Sequence, residues 1–354
     1  MGAVKTADPT MARAINDRLA LDLLLEHGPL TATQLRTLTG LSRPTVADLI
    51  ERLRASGLVE RAGETGADRR GPNARLYGLV AGRAHVAGVD LRRDAVHVVA
   101  ADITGAESGT LTRALPPAPD LPAFIAGAVA GALEAAGPGP GAHTVVLGTP
   151  GLIHPRTGLA TESGVPGWRP DLGPALAERL GARVIVENEV NLATIAEHRA
   201  GAATGRDDFA LLWLDDGIGA GVVLDGRLRR GASGGAGEVG LLKFGDADFC
   251  ALMDLPAVRG LAPDALADRI VRGVFALVAV LDPGLVVLGG TLGRAGGDEL
   301  AGLVSARLDA LSPASTEVRP AVVEGDPILR GAVLTALDAA RDAVFGQAGP
   351  GRAP

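Results

Sequence analysis

The stretch AHVAGVDLRRDAVHVVAAD, residues 84–102, decides the fold of the larger part of this chain. It contains two mainly apolar runs, Ala84–Leu91 and Ala95–Asp102, separated by the charged tripeptide Arg92-Arg93-Asp94. Short apolar runs bounded by turn residues are typical of buried strands. The stretch therefore predicts two strands joined by a tight turn.

A second unit of the same kind occupies residues 209–226. Phe209–Asp215 and Gly219–Leu224 predict two strands, and Asp225-Gly226 is a favoured hairpin turn. Around these units, helices are predicted at about residues 121–136, 173–181, 189–203, 264–281, 298–311 and 327–344, and strands at 143–148, 183–187, 285–289 and 317–323. This duplication predicts a two-lobed α/β protein whose ligand binds in the cleft between the lobes.

The first 80 residues follow a different pattern, of short helices and then a hairpin. Apolar residues at helical spacing predict a helix at Ala14–Glu26. Thr31-Ala-Thr-Gln34 is a capping box that opens a second helix ending at Thr39-Gly40. Leu58–Ala62 and Ala74–Leu79 predict a two-stranded wing, joined by the loop 63–73.

A third helix is predicted directly before the wing. Ser42 can cap it, and Pro44 is tolerated in its first turn. Its inward face consists of apolar residues at positions i, i+3, i+4 and i+7, namely Val46, Leu49, Ile50 and Leu53.

Two helices joined by a short turn fit the major groove of DNA, and a following hairpin makes the arrangement a winged helix. The alternative is a small helical domain that docks another protein. We expect contacts to base edges and nearby phosphates from the start of the third helix, by Ser42, Arg43 and Thr45. Contacts to phosphate or the minor groove are expected from other basic side chains, namely Arg52, Arg69, Arg70 and Arg75.

The charge of the chain is unevenly distributed. The net charge of −7 is not that of a basic nucleic-acid-binding domain. Residues 1–80 contain 11 basic and 9 acidic residues, whereas residues 81–354 contain 23 and 32, so the net charges are +2 and −9. A mildly basic head predicts weak DNA binding as a monomer, so we expect dimerisation to supply affinity.

The sequence also bears on the cellular compartment. Cys250 is the only cysteine, which excludes an intramolecular disulfide and a Cys-rich zinc site and is consistent with a reducing cytosol. The most apolar stretches, Ala123–Leu133 and Val274–Leu281, are much shorter than the roughly 20 residues of a membrane-spanning helix. The N-terminus lacks the pattern of a secretion signal. We expect a cytoplasmic protein without a membrane span.

Nine short motifs occur in a characteristic order. They are HGPLT at residues 27–31, TGLSRPTV at 39–46, GLV at 57–59, VVLGTPG at 145–151, PGW at 166–168, VENEVN at 186–191, GIGAG at 217–221, GASGGAGEVG at 231–240 and LDPGLVVLGG at 281–290. In this order they resemble the ROK family, which unites sugar kinases with transcriptional repressors. The resemblance runs from about residue 10 to residue 345, and the winged helix points to the repressor branch.

The resemblance implies an actin-like (ribonuclease H-like, ASKHA) ATPase-type body behind the winged helix. In the kinases of the family, sugar and ATP meet in the cleft of this body. The expected division is a DNA-binding domain at residues 1–80, a first lobe at 81–195 together with 331–354, and a second lobe at 196–330.

The two phosphate loops depart from the family pattern. Family kinases place a Gly-rich turn after the Asp of the first strand, because backbone without side chains can close on phosphates. This chain follows Asp90 with Arg92 and Arg93. The second loop usually begins Gly-Thr-Gly but here begins Asp215-Asp216, which would repel a polyphosphate. The vestiges of the nucleotide site are Asp90, Gly217, Gly219, Gly289 and Gly290, and the glycines have the alternative role of tight turns.

The resemblance also implies a catalytic Asp, and this chain has Glu189 in its place. The extra methylene moves the carboxylate by on the order of 1 Å, which is costly at a positioned site. We therefore expect no catalytic residue, with Glu189 at a vestigial base position, and no ATP or other cofactor. Zinc is not expected either, because Leu241 replaces the family's His and Cys250 stands alone.

Three sugar contacts of the family are retained in this chain, at Asn188, Glu189 and Glu238. Two others are replaced, by Leu241 and Gly164. A sugar is held by many directional hydrogen bonds, so these losses weaken the case for an ordinary sugar ligand. The alternative is that the retained residues only satisfy buried backbone groups.

Together these features favour a ROK-type DNA-binding transcriptional regulator, a repressor that has lost kinase activity. It is expected to bind double-stranded operator DNA as a homodimer or higher homo-oligomer and to respond to a sugar or sugar phosphate in the cleft. One alternative is an ATP-dependent sugar kinase with a regulatory DNA-binding head. The others are a regulator that binds no ligand and a protein-interaction scaffold.

Overall fold

The fold is described from a computed structural model, over residues 9–64, 74–135, 141–161 and 164–346. The N-terminal unit is a winged helix. Its elements are α1 (Pro9–His27), β1 (Leu30–Thr31), α2 (Ala32–Thr39), α3 (Arg43–Ala55), β2 (Val59–Glu64) and β3 (Arg75–Leu79). The strands pair antiparallel in the order β1-β3-β2. The wing is therefore confirmed, whereas the short strand β1 was not predicted and α1 begins earlier than Ala14.

The predicted helix caps of the head are confirmed. Thr31 Oγ1 accepts a hydrogen bond from the backbone N–H of Gln34, whose side-chain oxygen accepts one from the backbone N–H of Thr31. Ser42 Oγ accepts a hydrogen bond from the backbone N–H of Thr45. The apolar face of α3 is buried as expected, at Val46, Leu49, Ile50 and Leu53.

The body contains two five-stranded sheets with the same topology. The first half comprises β4 (His85–Leu91), β5 (Ala95–Asp102), β6 (Glu107–Ala114), α4 (Leu121–Glu134), β7 (Ala142–Thr149), α5 (Leu172–Leu180), β8 (Arg183–Asn188) and α6 (Glu189–Ala200). Its sheet has the order β6-β5-β4-β7-β8. Strands β4, β5 and β6 are antiparallel, and β7 and β8 run parallel to β4.

The second half repeats this order. It comprises β9 (Phe209–Leu214), β10 (Ile218–Leu224), β11 (Arg227–Leu228), β12 (Lys243–Phe244), β13 (Ala247–Asp248), α7 (Phe249–Met253), α8 (Leu255–Val258), α9 (Pro263–Leu281), β14 (Leu285–Gly289), α10 (Gly290–Leu311) and β15 (Glu317–Pro320). The last helix, α11 (Pro327–Phe345), returns to pack on the first half. The sheet of the second half has the order β11-β10-β9-β14-β15, with β14 and β15 parallel to β9. Both sheets thus place their first strand in the middle, which confirms the predicted duplication.

Two elements of the body differ from the prediction. Strand β6 was not predicted, because its residues alternate only weakly and most of them are partly or fully exposed at the sheet edge. Helix α10 begins at Gly290 rather than at residue 298, and Gly297 interrupts it with a positive φ of 53°. Only its second half carries the helical pattern that the sequence displayed.

Helix α11 packs closely on the first half of the body. A Cβ placed on Gly88 of β4 would lie 2.9 Å from the backbone nitrogen of Val333 in α11. A Cβ placed on Gly331 of α11 would lie 1.9 Å from the carbonyl oxygen of Leu192 in α6. Both approaches require glycine, so α11 is held tightly between the sheet and α6.

The last turn of α11 contacts the winged helix. Arg18 of α1 donates a hydrogen bond from Nη1 to Asp342 Oδ1 at 2.8 Å, and the same group bonds the carbonyl oxygen of Gly346. The head and the body are therefore joined by polar contacts as well as by the chain. Among the helices of the described ranges, none has the length and apolar character needed to cross a bilayer.

Candidate ligand cleft and nucleic-acid interface

A cavity of about 730 Å³ opens between the two halves of the body. Its walls are the turns that follow β4 and β9 and the first residues of α6, α10 and α11. The cleft therefore receives residues from both sheets. Most of the polar side chains that line it are charged.

Arg92 forms two ion pairs at the wall of this cleft. Its Nε donates to Asp90 Oδ2 and its Nη2 donates to Asp326 Oδ2, each at 2.6 Å. The Asp90 side chain is 2% exposed and that of Arg92 is 46% exposed. The guanidinium thus covers a buried carboxylate on the side that faces the cleft and links β4 to the residue before α11.

Asp215 binds the first turn of α10. Its Oδ2 accepts hydrogen bonds from the backbone N–H of Thr291 at 3.0 Å and from the Thr291 hydroxyl at 2.8 Å. The first N–H groups of a helix lack partners within the helix, which makes a helix N-terminus a common anion site. At α10, a carboxylate of the protein already occupies part of that position.

The other two helices that begin at the cleft are capped in the same way. Asn188 Oδ1 accepts hydrogen bonds from two backbone N–H groups of α6, at 2.8 and 3.2 Å. Asp326 Oδ1 accepts from two backbone N–H groups of α11, at 2.9 and 3.1 Å. All three helix N-termini at the cleft therefore direct backbone donors to side chains of the chain itself.

The structure places two of the three predicted ligand-binding residues side by side. Asn188 Nδ2 donates to Glu189 Oε2 at 3.1 Å and to the carbonyl oxygen of Gly151 at 3.2 Å. Glu189 lines the cavity, whereas Glu238 is exposed at the start of a short 3-10 helix and lies outside the cavity lining. Glu238 is nevertheless near enough for its charge to act on Glu189.

Two carboxyl groups at the cleft have raised pKa values. Burial raises the pKa of Glu189 to about 8, and the carboxylates of Asp90 and Glu238 act in the same direction, against its backbone N–H and Arg93. Burial raises the pKa of Asp90 to about 6 against the opposing effect of Arg92. At neutral pH the Glu189 carboxyl is therefore mainly protonated and can donate a hydrogen bond to a ligand oxygen.

Glu187 is a buried polar residue that the sequence analysis missed. It is 4% exposed, and its Oε2 accepts a hydrogen bond from Arg230 Nε at 2.6 Å. Its Oε1 accepts one from Asn191 Nδ2 at 2.8 Å. This network ties the end of β8 to the start of the loop 230–238. The sequence signal that could have indicated this pair was Arg230, which directly precedes the glycine-rich stretch 231–240, but nothing in the sequence identified Glu187 as its partner.

The glycines predicted as vestiges of a nucleotide site have different surroundings. Gly217 and Gly290 line the cavity, whereas Gly219 and Gly289 do not. Gly290 has a φ of 73°, and a Cβ there would lie 2.4 Å from the carbonyl oxygen of Leu214. Packing therefore requires glycine at position 290, whatever ligand the cleft binds.

The predicted DNA-binding residues differ in exposure and in their partners. Ser42, Arg43 and Thr45 are exposed, and the Ser42 and Thr45 hydroxyls lie 2.8 Å apart. Arg52 donates to Asp17 of α1 at 2.6 Å and also pairs with Asp48, so it fastens α3 to α1. Arg75 is exposed at the start of β3. Arg69 and Arg70 lie outside the described residues.

The residues at the position of the family's zinc signature do not fit a zinc ion. Leu241 is 69% exposed, and Cys250 packs next to Gly240, where a Cβ would lie 2.5 Å from the Cys250 sulfur. Within the part of the chain that the structure describes, no group of three or more His, Cys, Asp or Glu side chains could hold a metal ion.

Comparison with known proteins identifies relatives of both parts of the chain. Residues 86–251 match the ROK family, and residues 15–71 match the MarR family. The bifunctional enzyme NanE/NanK of Brucella melitensis is 33% identical over 185 residues, covering 44% of this chain and 35% of that enzyme. The xylose repressor of Bacillus subtilis is 27% identical over 239 residues, covering 66% of this chain and 62% of that repressor. The chain thus spans less than two thirds of the length of these relatives.

Solved structures support the fold over nearly the whole chain. A ROK family transcriptional regulator that is a homolog of the E. coli MLC protein superposes with a TM-score of 0.73 at 16% identity, covering 95% of this chain and 97% of that one. A ROK hexokinase from Thermus thermophilus superposes with a TM-score of 0.62 at 25% identity, covering 73% and 99%. The predicted fold class, a winged helix followed by an actin-like body, is confirmed. The chain contains a ROK family domain over residues 86–251, and a MarR-type winged helix precedes it.

Proposed function

We propose that this chain is a DNA-binding transcriptional repressor that responds to a sugar-like effector in the cleft of its body. The observation that carries the proposal is the presence, in one chain, of a winged helix with an exposed α3 N-terminus and a ROK body with an open cleft. The similarity to the xylose repressor of Bacillus subtilis supports it.

In this proposal, the first turn of α3 reads the DNA. Ser42, Arg43 and Thr45 contact base edges and nearby phosphates, and Arg75, together with Arg69 and Arg70, contacts phosphate or the minor groove. Arg52 is already paired with two carboxylates, so any contact that it makes to phosphate competes with those ion pairs.

We further propose that the kinase activity of related proteins has been lost. Arg92 fills the turn after β4 and is paired on both sides, and Asp215 occupies the N-terminus of α10. A triphosphate needs unoccupied backbone donors and cations at these places. Glu189, mainly protonated at neutral pH, is also poorly suited to accept a proton from a sugar hydroxyl.

The effector would act by favouring one arrangement of the two halves of the body. Helix α11 offers a route to the head, because Asp326 and Ile328 at its start line the cavity while Asp342 near its end binds Arg18. A ligand can shift this equilibrium only by binding one state more tightly than the other. We propose that residues 1–80 form the DNA-binding unit and that a homodimer places two such units on one operator.

A gel shift of the full chain with its own upstream DNA tests the proposal. At moderate salt, wild type is expected to form a specific complex, and Arg43→Ala and Arg75→Ala are each expected to weaken it by about tenfold or more. Arg156→Ala, which removes an exposed arginine of the body, is the matched control. Unchanged affinity of both head variants, or no specific complex with wild type, would contradict the proposal.

The second candidate function is an ATP-dependent sugar kinase with a regulatory head. It is favoured by the similarity to NanE/NanK of Brucella melitensis and to a ROK hexokinase. Its test is ADP release in the presence of ATP, Mg²⁺ and a panel of hexoses and amino sugars. ADP release by wild type that disappears in Glu189→Gln would favour an active sugar kinase over a repressor without kinase activity.

A further inference from the structure

Arg93 and Gly164 lie next to each other at the cleft. A Cβ placed on Gly164 would lie 3.6 Å from Arg93 Nε, and other atoms of the guanidinium are 3.9 Å away. The absence of a side chain at position 164 therefore leaves this space to the Arg93 guanidinium. Because Arg93 also lines the cavity, its charged group is available to a ligand there.

Arg93 differs from the other two arginines of the cavity in its partners. Arg92 forms ion pairs with Asp90 and Asp326, and Arg294 donates to the carbonyl oxygen of Gly325 at 2.9 Å. Arg93 is exposed, and it forms no hydrogen bond or ion pair with any residue in the described ranges. Within those ranges, it is the cation of the cavity lining that no group of the protein satisfies.

We propose that Arg93 receives the carboxylate of an acidic carbohydrate, so that the effector of the cleft is a sugar acid rather than a neutral sugar. This inference rests on the proposed role of the cleft as an effector site. A guanidinium matches a carboxylate through two parallel hydrogen bonds, which gives both affinity and orientation. Glu189, which lines the same cavity, remains available for a hydroxyl group of the ligand.

Glu189 does not neutralise Arg93 at neutral pH. The two side chains interact electrostatically but do not form an ion pair. Since burial raises the pKa of Glu189 to about 8, its carboxyl is mainly protonated at pH 7. The positive charge of Arg93 is then left for an anionic ligand.

The other charges of the cavity favour a carboxylate over a phosphate. Asp94, Asp215 and Asp216 also line the cavity, and each would repel an approaching anion. A single carboxylate brings one negative charge, which the Arg93 guanidinium balances. A phosphate dianion brings about two and would need a second cation, and Arg294, the other arginine of the lining without a carboxylate partner in the described ranges, already donates to the Gly325 carbonyl oxygen.

Titration calorimetry of the full chain at pH 7 tests the inference. The ligands are glucuronate, galacturonate and gluconate, with glucose as the neutral probe and glucose 6-phosphate as the phosphate probe. At least one sugar acid is expected to bind wild type at least about tenfold more tightly than either other class. Arg93→Ala is expected to weaken that binding by about tenfold or more, Arg93→Lys by less, and Arg156→Ala not at all.

Each other outcome overturns the inference. Binding of no sugar acid, equal binding of glucose, or equal binding of glucose 6-phosphate contradicts a carboxylate-selective site. Sugar-acid binding that survives in Arg93→Ala contradicts the role of Arg93. The gel shift is carried out on the same preparation. If operator DNA is bound but no sugar acid is, the inference about the effector fails while the proposed repressor function stands. If operator DNA is not bound, the proposed repressor function itself fails.

Discussion

Arg92 and Asp90 form an ion pair in which the carboxylate is buried and the cation faces the cleft. A buried carboxylate that loses its cation retains the cost of its desolvation. The value of this pair to the folded protein therefore depends on whether Asp90 is ionised. Since the pKa of Asp90 is raised to about 6, the pair contributes fully only above that pH.

Arg92→Ala is expected to destabilise the protein in a pH-dependent way. Without the guanidinium, the pKa of Asp90 rises above about 6, so the folded state holds a proton that the unfolded chain has released. The loss of stability is then about 1–3 kcal/mol at pH 7.5 and smaller at pH 5. Urea unfolding at the two pH values measures it. The double variant Asp90→Asn/Arg92→Ala should lose this pH dependence, and an equal loss at both pH values would contradict the explanation.

Glu189→Gln is expected to change the pH dependence of stability in the opposite sense. Above the ordinary pKa of glutamate the unfolded chain is ionised, while folded Glu189 stays protonated up to about pH 8. Wild-type stability therefore falls as pH rises through this window, by at most about 1.4 kcal/mol per pH unit for one proton.

The Glu189→Gln variant lacks the titration of residue 189, whereas wild type and variant share all other titrating groups. Its stability relative to wild type should rise from pH 5 to pH 8, as measured by urea unfolding at intermediate pH values. Glu178→Gln removes an exposed carboxyl on α5 and serves as the control. Parallel curves for wild type and Glu189→Gln would exclude a raised pKa at this position.

At the scale of elements, local sequence signals predicted the helices of the head better than the edges of the sheets. The second helix begins and ends as predicted because Thr31, Gln34 and Gly40 act on backbone groups only a few residues away. Strand β6 was not predicted because it lies at a sheet edge, and its residues do not alternate between a buried apolar face and an exposed polar face. The first part of α10 was not predicted because it is rich in glycine. The residue that binds a backbone N–H at its N-terminus, Asp215, is also distant in sequence.

Thr31→Val tests the contribution of a cap to the head. The substitution keeps the shape of a mostly buried side chain but removes the oxygen that binds the backbone N–H of Gln34. We expect a loss of about 1 kcal/mol in the free energy of unfolding of the head. Thermal unfolding followed by circular dichroism and urea unfolding measure this. Thr33→Val, at an exposed position of the same helix, should have a much smaller effect, and equal effects would argue against the cap.

At the scale of the whole molecule, the contacts that define the cleft join residues far apart in the chain. Arg92 and Asp326 are separated by 234 positions, and Arg18 and Asp342 by 324. The sequence identified Arg92 and Glu189 as departures from the family pattern, but it could not identify their partners. Partners depend on how the sheets and α11 are placed, and no local pattern encodes that placement. The same limit applies to the Glu187–Arg230 pair.

Arg18→Ala tests whether α11 couples the cleft to the head. Arg18 holds the last turn of α11 through Asp342 and the Gly346 carbonyl, so its removal should loosen α1 from the body. We expect operator binding within a few-fold of wild type, but a response to effector that is reduced by about fivefold or more, because coupling free energies between sites are about 1–3 kcal/mol. Gel shifts with and without effector measure the response, and hydrogen exchange of α1 measures the loosening. Arg13→Ala, at an exposed position of the same helix, is the matched control. An effector response equal to that of wild type, with faster exchange in α1, would exclude this contact as the route of coupling.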